Sequence, residues 1–173
     1  MPHITFSKGD DLIIAGEINK LLEKGVINKA THCDSEFITT VFTRPKKDGS
    51  HRLILNLKNL NEYIAYHHFK MESLQSAVQL LKKDYWLAVL VLKDVHYSVP
   101  MNLQHRKFLI FEFKGSLYEF TCLPNGLTSA PRVFTKLMKP VYESLRSKGY
   151  LFFLKNFYLQ NTLLLTLLTV QLS

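Results

Sequence analysis

The stretch that decides the fold is Trp86-Leu87-Ala88-Val89-Leu90-Val91-Leu92-Lys93-Asp94-Val95-His96-Tyr97-Ser98-Val99-Pro100. Its apolar part, residues 86–92, is short, rich in Val and Leu and free of breakers, so it predicts a buried strand. Pro100 closes the segment because proline cannot donate a hydrogen bond to a sheet. A strand that surfaces at a carboxylate, here Asp94, is one way to build a metal-assisted site. A core strand followed by a solvated turn would have the same pattern.

The composition is that of a folded, basic protein. Of its 173 residues, 47% are hydrophobic, which excludes a disordered chain. Lys and Arg number 22 against 14 Asp and Glu, which gives a formal net charge of +8. This excess favours a polyanionic partner, nucleic acid before a membrane surface.

Cysteine usage and the chain ends bear on location. Cys33 and Cys122 are too few for a disulfide framework, and the N-terminus lacks the apolar core of a secretory signal. We therefore expect an intracellular protein, cytoplasmic or nuclear. The clean apolar run at residues 162–170 is well below the ~20 residues that span a bilayer, so we expect no membrane segment.

Periodicity and turn residues predict the remaining elements. Helices are expected from Asp10 to Gly25, over residues 72–82 and from Ser129 to Gly149. Hairpins are expected over residues 37–57 around Asp48-Gly49, over 108–121, and over 150–159 with Lys155-Asn156 at the tip. This order predicts an α+β fold with packed helices and an antiparallel-rich sheet.

The first hairpin carries a cluster of basic side chains at its tip, in Arg44-Pro45-Lys46-Lys47-Asp48-Gly49-Ser50-His51. A solvated turn would have a similar composition. The functional interpretation is a basic finger that holds phosphates, for which Lys46, Lys47 and Arg52 are suitably placed.

Four segments keep the order and spacing of a known polymerase family. They are Arg44 to Arg52 with Leu55-Asn56-Leu57-Lys58-Asn59-Leu60-Asn61, His68-Phe69-Lys70-Met71-Glu72, Leu92-Lys93-Asp94 with Tyr97-Ser98-Val99-Pro100, and Phe120-Thr121-Cys122-Leu123-Pro124-Asn125-Gly126-Leu127-Thr128-Ser129-Ala130-Pro131-Arg132. Together they resemble the reverse transcriptase domain of retroelements, most closely that of DIRS-like (tyrosine-recombinase) retrotransposons. The resemblance implies incomplete fingers and palm for residues 1–160 and leaves residues 161–173 as a divergent apolar tail.

The resemblance also implies how the family works. Its members extend DNA by two-metal phosphoryl transfer, with Mg²⁺ held by three aspartates. The matching positions here are Val91, Lys155 and Asn156. Valine offers no ligand atom, asparagine offers one neutral carbonyl, and a lysine ammonium ~4 Å from a divalent ion is repelled by roughly 8 kcal/mol at an effective dielectric near 20. We therefore expect no intact catalytic residue, no bound metal or cofactor, and no polymerase activity.

Other positions of the family pattern are retained. By resemblance, Arg52 holds the nucleotide triphosphate, and Gly126 permits close backbone approach to nucleotide and template. His96 stands where the family has the aromatic residue that excludes the 2′-hydroxyl, which puts sugar selection in doubt. The ancestral nucleotide-binding positions are Lys46, Lys47, Arg52, Asp94, Val95, His96, Asn125 and Gly126.

The leading interpretation is a degenerate, truncated reverse transcriptase domain whose ancestral partners were deoxynucleotides and a primed RNA or DNA template. A second is a non-catalytic nucleic-acid-binding module that uses the +8 charge and the basic finger. A third is an active enzyme that recruits Asp84 or Asp94 as substitute carboxylates. A fourth is an open reading frame that is never translated.

Overall fold

The computed structural model describes residues 8–46, 49–69, 86–148, 151–157 and 162–169, with backbone alone for 86–93, 151–157 and 162–169. The helix expected over residues 72–82 lies outside these ranges, as do Lys47 and Asp84. In chain order the elements are α1 (Lys8–Glu23), β1 (Ile27–Ala30), β2 (Ile38–Thr39), β3 (Val41–Pro45), β4 (His51–Leu55), α2 (Lys58–Glu62), β5 (Trp86–Lys93), a 3-10 turn (Val95–Ser98), α3 (Leu103–Arg106), β6 (Ile110–Phe113), β7 (Ser116–Phe120), α4 (Ala130–Ser147), β8 (Leu151–Phe157) and β9 (Thr162–Thr169).

The chain divides into two compact units. The first contains Met1–Ala65 and His96–Thr128, and the second contains Tyr66–Val95 and Ser129–Ser173. Helices and mostly antiparallel strands confirm the predicted α+β class. None of the described helices is long and apolar enough to cross a membrane.

The core of the first unit is a four-stranded sheet with strand order β1-β7-β6-β2. The predicted hairpin β6–β7 is confirmed, although Ser116 belongs to the strand. Lys114 and Gly115 have φ values of 50° and 72°, the left-handed pair that a two-residue hairpin turn requires. Ile27, Ile110 and Phe111 are almost completely buried, so the sheet supplies much of this core.

The predicted first hairpin is confirmed as well. β3 pairs antiparallel with β4 from Val41 opposite Leu55 to Pro45 opposite His51. Gly49 takes φ 78° in the connection, as the Asp48-Gly49 signal indicated. Helix α1, predicted to end at Gly25, ends at Glu23 and packs against both strands.

The second unit contains a three-stranded antiparallel sheet with strand order β5-β9-β8. The strand predicted over residues 86–92 is confirmed as β5. The helix predicted from Ser129 is confirmed as α4, which runs through Pro140 and ends at Ser147.

The prediction that Lys155 and Asn156 form a hairpin tip is wrong. Both lie within β8, where Lys155 pairs with Leu164 and Asn156 with Leu163 of β9. A two-residue turn needs left-handed backbone, for which Lys-Asn without glycine is a poor sequence. The Leu- and Thr-rich segment of β9 offers every residue of β8 a partner, so the strand continues to Phe157. β9 lies within residues 161–173, which the sequence analysis described as a divergent tail. The different origin of this tail stays a prediction.

Thr121 ties the end of β7 to the turn after α1. Its hydroxyl Oγ1 donates to Gly25 O at 2.6 Å and lies 3.1 Å from Val26 O. We expect Thr121→Val to lower the free energy of unfolding by about 1 kcal/mol, since the hydrogen bond from the hydroxyl to Gly25 O is lost. Urea denaturation followed by circular dichroism measures the change.

The matched control is Thr43→Val, on β3, whose hydroxyl has no protein partner among the described residues. An equal loss in both variants would contradict the role assigned to the Thr121 hydroxyl.

Candidate functional site

The positions predicted to match the family's metal ligands lie on the two strands that flank β9 in the second unit. Val91 on β5 and Lys155 on β8 both pair with Leu164 of β9. The two positions therefore share one cross-strand row, with backbones about 10 Å apart by ordinary strand spacing. Asn156 lies in the next row, with Leu163 and Leu92. Because successive residues of a strand face opposite sides of the sheet, Asn156 occupies the other face.

This donor set does not fit a pair of divalent cations. Hard cations such as Mg²⁺ take oxygen ligands, above all carboxylates. The shared row offers an aliphatic residue at Val91 and a cationic residue at Lys155, and the adjoining row offers one amide at Asn156. The backbone thus places in two adjoining rows the three positions that the sequence analysis predicted to match the family's acidic ligands.

A sharp turn follows β5. Asp94 adopts the left-handed conformation with φ 53°, which aspartate tolerates better than most residues. The 3-10 turn Val95–Ser98 comes directly after it, with Val95 buried and His96 half-buried. This turn leads the chain from β5 towards the first unit.

A short antiparallel contact joins the segment 99–101 to residues 121–123 at the start of the loop. Pro100 and Cys122 form an isolated β-bridge. It is flanked by hydrogen bonds from Met101 N–H to Thr121 O at 2.9 Å and from Leu123 N–H to Val99 O at 2.8 Å. Cys122 is buried at this crossing, and burial raises the pKa of its thiol to about 11.

The loop itself buries its apolar residues and exposes the predicted binding positions. Leu123, Pro124 and Leu127 are buried, whereas Gly126 is exposed and Asn125 is half-buried. Gly126 takes φ 94°, a conformation that strains any residue with a side chain. The loop therefore presents a defined surface at Asn125-Gly126.

The surroundings of His96 alter its protonation. Burial lowers the pKa of the imidazole below its ordinary value of 6.5, and the Asn125 side chain opposes part of the effect.

Asn61 on α2 is a site residue that sequence reasoning missed. Its Nδ2 donates to Gly126 O at 2.9 Å, and its Oδ1 accepts from Thr128 N–H at 2.8 Å. Asn61 was visible only as the last residue of a matched segment. A contact between residues 65 and 67 positions apart leaves no local pattern in a sequence.

The hairpin β3–β4 has one buried and one open face. Val41, Leu53 and Leu55 are buried on the inner side. The open face, which we call the outer hairpin face, is formed by Phe42, Arg44, Arg52 and Ile54.

On the outer hairpin face, Arg44 and Arg52 are directly opposed across the two strands. Phe42 is 37% exposed, and the Arg44 guanidinium lies 5.9 Å from its ring centroid. Like charges that face each other across strands destabilise the pair unless an anion lies between or beside them. Arg52 is therefore paired in register with a second arginine, and Lys46 follows directly after β3.

Residues 44–160 match the family described as reverse transcriptase (RNA-dependent DNA polymerase). The chain belongs to the reverse transcriptase family. This confirms the family to which the four sequence segments pointed.

Related reverse transcriptase polyproteins come from viruses and transposons. The chain is 26% identical over 149 residues to polyprotein P3 of Commelina yellow mottle virus, covering 82% of the chain and 8% of the polyprotein. It is 27% identical over 135 residues to the retrovirus-related Pol polyprotein from transposon gypsy of Drosophila melanogaster, covering 74% of the chain and 13% of that protein. The chain thus spans a small part of the length of these curated relatives.

Solved reverse transcriptases have the same fold. The prototype foamy virus protease-reverse transcriptase matches with a TM-score of 0.71 and 19% identity, over 95% of this chain and 21% of that chain. The foamy viral protease-reverse transcriptase in complex with dsDNA matches with a TM-score of 0.75 and 18% identity, over 95% and 32%. The predicted fingers and partial palm of a reverse transcriptase-like fold are therefore confirmed.

The effect of Asn125 on His96 can be measured. Asn125→Ala removes the side chain that opposes the effect of burial, so we expect the pKa of His96 to fall further. Titration of the His96 Cε1–H signal by NMR measures this pKa, and Asn28→Ala, at an exposed position of β1, is the control.

The same shift sets a pH dependence of stability. The unfolded chain binds the His96 proton at a higher pH than the folded chain, so His96 makes folding less favourable as the pH falls from 6.5 towards the lowered pKa. In the Asn125→Ala variant this loss extends to lower pH. An unchanged His96 pKa in that variant would contradict this effect of Asn125.

Proposed function

We propose that this chain is a degenerate reverse transcriptase domain of a retroelement, without polymerase activity of its own. The observation that carries the proposal is the shared row of Val91 and Lys155 beside Leu164. A sheet that aligns these positions in one row, but with an aliphatic and a cationic residue there, lacks the negative charge that two Mg²⁺ ions require.

The parts that would bind the nucleotide are retained to different degrees. Arg52 lies on the outer hairpin face, and Asn125 affects the pKa of His96. The imidazole of the half-buried His96 is smaller and more polar than the ring of phenylalanine or tyrosine. The exclusion of the 2′-hydroxyl therefore differs from that of the family. In this proposal these residues are retained from an ancestral site that bound deoxynucleotides and a primed template.

The proposal extends to the type of element and to the tail. The matched segments favour a DIRS-like retrotransposon as the source. The family match ends at residue 160, and residues 161–173 contain no charged residue. We propose that this tail has a different sequence origin, even though residues 162–169 form β9.

Repair of the ligand positions tests the proposal. We expect no primer extension by the unaltered chain with Mg²⁺ and deoxynucleotides. The triple variant Val91→Asp, Lys155→Asp, Asn156→Asp restores three carboxylates, and we expect it to bind Mn²⁺, measured as loss of the free-ion signal in electron paramagnetic resonance, and to incorporate nucleotides.

The matched control places Asn at the same three positions, which restores polarity without charge. Incorporation by the unaltered chain would contradict the proposal. Equal Mn²⁺ binding by the Asn and Asp variants would contradict the claim that metal binding at these positions requires carboxylates.

The outer hairpin face favours a second candidate function, non-catalytic binding of a single nucleic-acid strand. An exposed ring at Phe42 offers a stacking surface for a base, and Arg44 and Arg52 offer charge for the flanking phosphates. Occupation by phosphates would also relieve the repulsion between the two arginines. This function needs no metal and is compatible with the loss of catalysis.

A filter-binding assay with a single-stranded oligonucleotide tests this second candidate. We expect Arg44→Ala/Arg52→Ala to weaken binding and to reduce the slope of log K against log salt by about 1.4, since each phosphate contact contributes about 0.7 on single strands. The control Lys136→Ala/Lys148→Ala removes the same charge from exposed positions of the second unit. Equal effects of the two variants would mean that net charge, not the outer hairpin face, binds the strand.

A further inference from the structure

Strand β5 has the composition of an interior strand but lies at the end of its sheet. Residues 86–92 are apolar without interruption, a pattern typical of a strand that is covered on both faces. Within the part of the chain that the structure describes, β5 pairs with β9 and ends the strand order β5-β9-β8. Alternate backbone N–H and C=O groups of β5 therefore point away from β9, where they can pair with a further strand.

Edge strands that resist pairing with other chains carry recognisable protection. They are short, or they contain proline, a bulge or a lysine within the strand. β5 is eight residues long, contains neither proline nor glycine, and pairs with β9 in an unbroken register from Trp86 to Lys93. Its one charged residue, Lys93, is the last of the strand. The edge of β5 is thus long, apolar and without these devices.

Strand β8, at the other end of the strand order, does have such protection. Lys155 and Asn156 lie inside the strand and interrupt its apolar residues. A two-fold pairing of β8 with itself, centred on Leu154, would bring the Lys155 residues of both copies into one ladder and on one face of the sheet. Self-pairing is therefore disfavoured at β8 and favoured at β5.

A second copy of β5 fits the edge of the first. The outward backbone groups of an edge strand belong to alternate residues, so an antiparallel pairing of two identical edges must be centred on one residue. Centred on Val89, the ladder spans residues 86–92, with Trp86 of each copy opposite Leu92 of the other. It contains the whole apolar run and no charged residue. The two Lys93 residues lie beyond its opposite ends, roughly 27 Å apart by ordinary strand rise.

We propose that two copies of this chain associate through β5, edge to edge and antiparallel about Val89, to form a six-stranded sheet with strand order β8-β9-β5-β5-β9-β8. The association is a closed two-fold dimer, since each copy contributes the same edge. This inference goes beyond the proposed function, because the pairing involves neither a metal nor a nucleic acid.

Charge at the two-fold centre tests the pairing. Residue 89 of one copy lies opposite residue 89 of the other, so Val89→Lys and Val89→Glu each place like charges face to face. We expect the unaltered chain to sediment as a dimer in analytical ultracentrifugation, and the dimer dissociation constant of each variant to rise at least about tenfold. An equimolar mixture of the two variants places a lysine opposite a glutamate, and we expect it to dimerise again.

The matched control is Phe153→Lys. Phe153 and Val89 both pair with Thr166 and so lie in one cross-strand row, at opposite ends of it. We expect this variant to keep the dimer dissociation constant of the unaltered chain. Equal weakening by Val89→Lys and Phe153→Lys would overturn the proposal, as would a monomeric unaltered chain, an assembly larger than a dimer, or a mixture of folded variants that stays monomeric.

A measurement on the unaltered chain serves if the charged variants do not fold. In a mixture of isotope-labelled and unlabelled chains, isotope-filtered NOE spectra detect contacts between copies. We expect such contacts between the backbone protons of Ala88 in one copy and Leu90 in the other, which are opposed in the register about Val89. Their absence would overturn the proposal. Neither metal nor nucleotide is added, so this inference and the proposed function can fail separately.

Discussion

The antiparallel pairing of β9 with both β5 and β8 is the constraint on which the second unit depends. One central strand sets the register of its two neighbours, so Val91 and Lys155 meet opposite the same residue, Leu164. A shift of one residue on either side would move one of these positions to the other face of the sheet. The alignment of the two positions is therefore a property of the backbone and survives whatever side chains occupy it. In this unit, strand pairing determines where the two positions lie, and the side chains determine whether they can bind a metal.

In the first unit, a few polar contacts connect segments that are far apart in the chain. The bridge between Pro100 and Cys122 brings the turn after β5 to the loop, and Asn61 connects that loop to α2. Sheet and core determine the position of the loop, because Leu123, Pro124 and Leu127 are buried. Its shape at Gly126 depends on side-chain hydrogen bonds. Packing thus determines where the loop lies, and polar contacts determine its backbone conformation.

Local signals in the sequence predicted most of the described architecture. β5 was visible as an apolar run, α1 and α4 from their helical periodicity, and the hairpins from glycine at left-handed turns. These features depend on residues close together in the chain. The strand through Lys155 was missed because its cause is the partner β9, whose composition gave no reason to expect a central position. The parallel pairing of β2 with β6 is likewise non-local, since Ile38 and Ile110 are distant in sequence.

The candidate site, too, was predicted only in part from the sequence. A family pattern identified His96 and Asn125 individually, and the structure adds that Asn125 affects the pKa of His96. Asn61 and Arg44 could not be singled out, because the importance of each comes from what lies opposite it. Lys47 remains a sequence prediction, since it falls outside the described residues.

The two cysteines differ sharply in their surroundings. Cys33 is exposed in the segment between β1 and β2, whereas Cys122 is buried at the bridge with a thiol pKa near 11. A maleimide or nitroxide reagent at neutral pH will therefore modify one sulfur and spare the other. The native chain already carries a single attachment point for a fluorophore or spin label, and nothing needs to be removed from its core to use it.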